Sequence, residues 1–263
     1  MTFRAFLITS SLLAAPAATL AQDMVELDVL PGWREADGTH MAALRVTLDP
    51  GWKTYWRAPG DAGIPPQFDW RGADNMRAVA FHWPVPDVYM TNGMRTIGYE
   101  NQVVIPMQVT PHADGEIRMR GSVQIGVCEE ICVPVTLKFD EALPAKGAPD
   151  GAIRAALSDR PHSEAEASVA AVTCAVDPIA DGLRITASIA MPALGQGEVA
   201  VFETADPKIW ISEAATRREG NMLTASAEMV SPSGQPFALN RSDVRITVLS
   251  AGQAVDIRGC EAG

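Results

Sequence analysis

The stretch Gly126-Val127-Cys128-Glu129-Glu130-Ile131-Cys132-Val133-Pro134 sets two cysteines four positions apart in a chain that has four in all. Thiols so close can form a disulfide that closes a very small loop. Such a bond constrains the unfolded chain little, because chain-entropy stabilisation grows with loop length and is about 3 kcal/mol for a 15-residue loop. A short-loop disulfide is therefore a candidate for thiol–disulfide exchange, and a plain hairpin staple is the competing reading. Two carboxylates, Glu129 and Glu130, sit inside the loop. Negative neighbours disfavour a thiolate and raise the thiol pKa, and no Lys, Arg or His lies nearby in sequence to counter them. Such a pair suits being attacked, as a disulfide, by a partner's thiolate better than attacking on its own.

Four cysteines allow three pairings. The economical one joins Cys128 to Cys132 and Cys174 to Cys260; its rivals cross between the two halves of the chain. A Cys174–Cys260 bond ties the two ends of the C-terminal half. By the entropic model a loop of that length contributes on the order of 4–5 kcal/mol, which makes it a structural bond. No CxxC is present, and His40, His82, His112 and His162 show no ligand spacing, so neither a metal nor another cofactor is expected. The eleven methionines are scattered, as core packing requires.

The elements that must hold the cysteine pair read as strands. Residues 116–125 alternate charged or polar with apolar over most of their length, and residues 133–139 resume that pattern after the pair. A tight hairpin follows, with one strand ending at Cys128, a Glu129-Glu130-Ile131 tip, and a second strand from Cys132. Residues 41–48, 52–56 and 103–109 are further strand candidates, with Pro106 suggesting an edge or a bulge. Residues 61–94 are dense in Pro, Gly and aromatics and read as long loops or short strand pieces, where function tends to sit. Residues 144–149 read as a linker, and Asp150 can N-cap a short helix through Leu157, stopped before Pro161. From residue 172 alternating strands return. The expected fold is all-β: two immunoglobulin-like sandwiches, residues 22–143 and 172–263, joined by a short, partly helical linker, 144–171.

The first 21 residues read as a cleaved secretory signal. Arg4 gives a positive start, residues 5–15 are largely apolar, and Thr19-Leu20-Ala21 offers a cleavage site. Export makes disulfides possible. No later stretch approaches 18 apolar residues, so no membrane insertion is expected. With 21 basic and 32 acidic side chains, net −11, the chain lacks the charge to hold nucleic acid or anionic lipid through a basic patch.

Gly51-Trp52-Lys53-Thr54-Tyr55-Trp56-Arg57-Ala58-Pro59-Gly60-Asp61-Ala62-Gly63-Ile64-Pro65-Pro66 resembles the GWHTYW-x-NPGDSG-x-P block of the periplasmic N-terminal region of DsbD/ScsB thiol:disulfide interchange proteins. Trp83-Pro84-x-Pro86, Gly98-Tyr99 and Cys128-x-x-x-Cys132-x-Pro134 follow in that family's order, and the second half resembles the second sandwich of the ScsB-like branch more loosely. The resemblance implies a periplasmic domain whose Cys128/Cys132 pair takes electrons from a thioredoxin-like or membrane thiol-transport protein. It would pass them to a periplasmic disulfide isomerase or reductase. It also implies a cap over the pair within residues 87–99, with Tyr89 as the shielding aromatic and Met90, Met94 and Tyr99 as alternatives. The ScsB branch is linked to copper tolerance. The sequence holds neither a transmembrane region nor a thioredoxin CxxC, so separate proteins would supply those parts. A non-catalytic binding or chaperone-like module with two structural disulfides is the alternative. Trp52, Tyr55 and Trp56 are read as core or scaffold.

Overall fold

The computed structural model describes residues 24–61, 63–91 and 93–263. The expected signal, residues 1–21, lies outside them. The first half is built of β1 (Val25–Arg34), β2 (His40–Leu48), β3 (Lys53–Tyr55), β4 (Gln67–Asp69), β5 (Met76–Phe81), β6 (Asp87–Thr91), β7 (Met94–Glu100), β8 (Gln102–Pro111), β9 (Ile117–Cys128) and β10 (Cys132–Leu143). One sheet has the order β1-β2-β8-β5; the other runs β10-β9-β3-β7-β6, with β4 also on β9. Their inner faces close an immunoglobulin-like sandwich. β9 shows why. Ile117, Met119, Val123, Ile125 and Val127 are buried, while Arg118, Arg120 and Gln124 between them face out, as a strand's two-residue period dictates.

Pro106 lies on an inner strand, β8, between β2 and β5, and not at an edge. Its carbonyl accepts from the His82 backbone N–H at 2.9 Å, just past the end of β5. The missing N–H of proline therefore faces the residue that follows β5, where that strand stops.

After β10 comes the α-helix Gly151–Ser158. Asp150 caps it, its carboxylate accepting from the N–H groups of Ala152 (2.7 Å) and Ile153 (3.1 Å). Ile153 anchors it against Leu30, Met41 and Ala43. The second sandwich packs Ala171–Ile179, Gly182–Ala190 and Met222–Val230, with shorter edge pieces, against Val199–Glu203, Arg245–Ser250 and Gln253–Arg258. Cys174, fully buried, is bonded to Cys260 with Cα atoms 5.7 Å apart. The halves share a core: Leu249 and Ala254 pack into the cluster that holds Trp56, Ile97 and Val127. Arg57 clamps the join, bidentate to Glu203 at 2.9 Å and bonded to Thr247 at 3.1 Å.

His40 gives the fold an acid sensitivity. It is fully buried, with Nε2 2.5 Å from the Pro31 carbonyl and Nδ1 without a partner among the described residues. Burial, opposed by that hydrogen bond, holds its pKa below the ordinary 6.5. The unfolded chain therefore binds a proton that the fold refuses, and stability falls as pH drops below 6.5. Chemical denaturation between pH 7 and 5 should show a loss of at most about 1.4 kcal/mol per pH unit from this group, and H40Q should remove that part of the slope. An unchanged slope in H40Q would contradict the assignment.

Candidate functional site

In β9 the odd-numbered residues fill the core, so Gly126 and Cys128 face outward. Cys132, the first residue of β10, lies directly opposite Cys128 in the hairpin register. The two are disulfide-bonded, with Cα atoms 4.2 Å apart. Direct opposition across antiparallel strands is what lets so short a connection bring the two sulfurs together. Cys128 is half-buried, Cys132 is exposed, and the neighbouring tip residue Ile131 is 75% exposed.

On the other side of β9 lies β3, with Lys53 opposite Cys128 and Thr54 opposite Val127. Lys53 and Tyr55 share the outward face with Cys128, while Thr54 turns inward and its Oγ1 donates to the Gly126 carbonyl at 2.9 Å. The Tyr55 ring lies across Gly126. A Cβ there would stand 2.7 Å from two ring carbons and 2.8 Å from Ile64 Cβ. The missing side chain is what lets the ring lie flat and send its hydroxyl to the disulfide. Tyr55 Oη is 3.1 Å from Cys128 Sγ and 2.9 Å from Cys132 Sγ. Sulfurs in a disulfide carry no proton, so the phenol is the donor. Burial pushes its pKa up, and it stays protonated at neutral pH.

Tyr55 is thus part of the site as well as the scaffold, which corrects the sequence expectation. The one-face pairing of Lys53 and Tyr55 was readable from strand alternation. Their register against Cys128 was not, since it depends on a contact between residues more than seventy positions apart. The same register supplies, from a distant part of the chain, the basic neighbour that the local sequence lacks. Lys53 sits beside Cys128, and its Nζ is 3.2 Å from a Glu100 carboxylate oxygen and 4.7 Å from the Tyr89 ring centroid.

The stretch expected to hold the cap, residues 87–99, is the edge hairpin of β6 and β7. Tyr89 belongs to the outward face of Tyr55 and Lys53, with Lys53 between it and Cys128 in the order of the sheet. Its hydroxyl is 3.4 Å from Asp87 Oδ2, and burial, then the charges of Asp87 and Glu100, push its pKa up. Met90 and Met94 lie at the turn end of the hairpin, away from the Lys53–Glu100 pair, and are 65% and 49% exposed. Tyr99 pairs with Thr54 and faces the core; its hydroxyl donates to the Pro84 carbonyl at 2.9 Å. The fold sets the Tyr89 ring beside Lys53, whose strand partner is Cys128, and places Tyr99 in the core and Met90 and Met94 at the exposed turn of the hairpin.

The family model for the N-terminal region of the thiol:disulfide interchange protein DsbD matches residues 26–144. Among solved structures, the N-terminal periplasmic domain of ScsB from Proteus mirabilis shares the fold at a TM-score of 0.66 and 21% identity, over 92% of this chain and 95% of that one. No curated protein matches the chain. Among the described residues no helix is long and apolar enough to cross a membrane. Residues 26–144 are a domain of the DsbD N-terminal type.

Proposed function

We propose that this protein relays electrons in the periplasm through Cys128 and Cys132. It would accept them from a thioredoxin-like or membrane thiol-transport protein and pass them to a disulfide isomerase or reductase. The observation that carries this reading is the aim of one buried hydroxyl, Tyr55 Oη, at both sulfurs of a short-loop disulfide whose outer sulfur is exposed. A staple has no need of such a donor. Exchange does, because one sulfur must leave as an anion.

Exposure sets the order of events. A donor thiolate attacks the exposed Cys132 Sγ; the Cys128–Cys132 bond breaks as the donor–Cys132 bond forms, and the electron pair leaves on Cys128. The Tyr55 O–H stabilises that thiolate by a hydrogen bond. The donor's second thiol then displaces Cys132, leaving a dithiol here and a disulfide on the donor. The same steps in reverse hand two electrons to an acceptor disulfide. Family membership and the disulfides support an interchange protein; the named partners, the periplasmic setting and the cysteine roles are our proposal.

A trapping experiment tests it. With Cys128 replaced by serine, Cys132 should hold a mixed disulfide with an oxidised thioredoxin-like protein; with Cys132 replaced it should form far less. Equal absence of adducts in both variants would refute the relay. Tyr55→Phe should slow reduction of the disulfide by dithiothreitol about tenfold to a hundredfold, since a hydrogen bond to a charged group is worth about 1.5–3 kcal/mol. Acid quench and thiol alkylation read that rate, and an unchanged rate would remove Tyr55 from the mechanism. A second reading, a binding module, draws on a cavity of about 450 Å³ between the two halves, with Ile97, Phe202 and Trp210 in its wall. In that case the trapping variants would bind partners as well as the parent does.

A further inference from the structure

Glu129 and Glu130 make no ion pair among the described residues. Their charge opposes any thiolate formed in the loop they occupy. Opening of the disulfide places a negative charge on Cys128, so something must offset it if exchange is to run. Across β9, β3 and β7 the outward row reads Cys132, Cys128, Lys53, Glu100. Side chains directly opposite one another in a sheet have Cβ atoms about 4.5–5.5 Å apart. Lysine carries its charge on a flexible four-carbon stem. While the disulfide is closed, Cys128 is neutral, and Lys53 is held on the other side by Glu100 at 3.2 Å and by the Tyr89 ring.

We propose that Lys53 is the charge partner of the Cys128 thiolate, drawn from Glu100 toward the sulfur when the disulfide opens. This deepens the relay reading and rests on it. It names the residue that makes Cys128 the leaving group despite the acidic tip. The groups around that thiolate are then Lys53 and the Tyr55 hydroxyl on β3, Glu100 on β7, Tyr89 and Asp87 on β6, the Cys132 thiol on β10, and Glu129 and Glu130 at the tip. Lys53 is the one cation among them, and Glu100 competes for it.

The test follows the titration of Cys128 in the full chain carrying Cys132→Ser, by the pH dependence of its alkylation with iodoacetamide. Lys53→Gln should raise the Cys128 pKa by about one unit, the lower end of the effect of an opposite charge 4–6 Å away. Lys53→Arg should keep it near the parent value. Glu100→Gln, which frees Lys53, should lower it, and only while Lys53 is present. A purely structural role for the pair would not give shifts of opposite sign. An unmoved titration in Lys53→Gln, or a Glu100→Gln shift equally large without Lys53, would overturn the proposal. Both readouts are independent of any partner, so a failed relay and a failed Lys53 assignment are distinguishable.

Discussion

Gly126→Ala is expected to lose both stability and exchange rate. The new methyl would meet two Tyr55 ring carbons at 2.7 Å and Ile64 Cβ at 2.8 Å, contacts that real side chains do not tolerate. The ring must swing away or the strands must part. Overpacking of this kind costs about 1–3 kcal/mol. The swing also carries the hydroxyl off the sulfurs, so the variant should reduce at least as slowly as Tyr55→Phe. Urea denaturation and dithiothreitol reduction measure the two effects. In the double variant Gly126→Ala/Tyr55→Phe the rate should fall no further than in the slower single variant, because both changes remove the same hydrogen bond. Additive rate losses would mean that Gly126 acts on the disulfide by another route.

The two disulfides should differ sharply when each is removed. Replacing Cys174 and Cys260 by serine opens a loop with a sequence separation of 86 and is expected to cost on the order of 4–5 kcal/mol by the chain-entropy model. Cys174 is fully buried, so its serine hydroxyl adds a polar group to the core and pushes the loss toward the upper end. The Cys128/Cys132 double serine variant, with a separation of 4, should unfold at nearly the parent denaturant concentration. Similar losses in the two variants would mark Cys128–Cys132 as a staple.

The fold was legible because its signals are local. The alternation of Ile117, Met119, Val123, Ile125 and Val127 marks β9 without any tertiary knowledge. Asp150 and Pro161 bracket the helix by capping and by steric exclusion. The cysteine hairpin also belongs to this class, because its strands are neighbours in sequence. The surroundings of the pair were less legible. Tyr55 reads as one more aromatic in a Trp-Lys-Thr-Tyr-Trp run. Only the β3–β9 register turns it from scaffold into the donor on both sulfurs, and the same register puts Lys53 against the charge of the tip. Tyr99 misled for the converse reason: one residue away from an outward position is an inward one. Pro106 read as an edge because proline lacks a donor, whereas β8 places that gap where β5 ends.

The central claim is that Cys128–Cys132 is a working redox couple, and its reduction potential tests that most directly. Equilibration of the full chain with glutathione and dithiothreitol buffers, followed by alkylation and mass spectrometry, reads both disulfides in one sample. Structural disulfides lie below about −300 mV, while labile and catalytic ones lie above. Cys174–Cys260 should lie below that value and serve as the internal reference. Cys128–Cys132 is predicted to lie above it, within reach of thioredoxin-like donors and acceptors. A potential below about −300 mV, matching that of Cys174–Cys260, would contradict the relay.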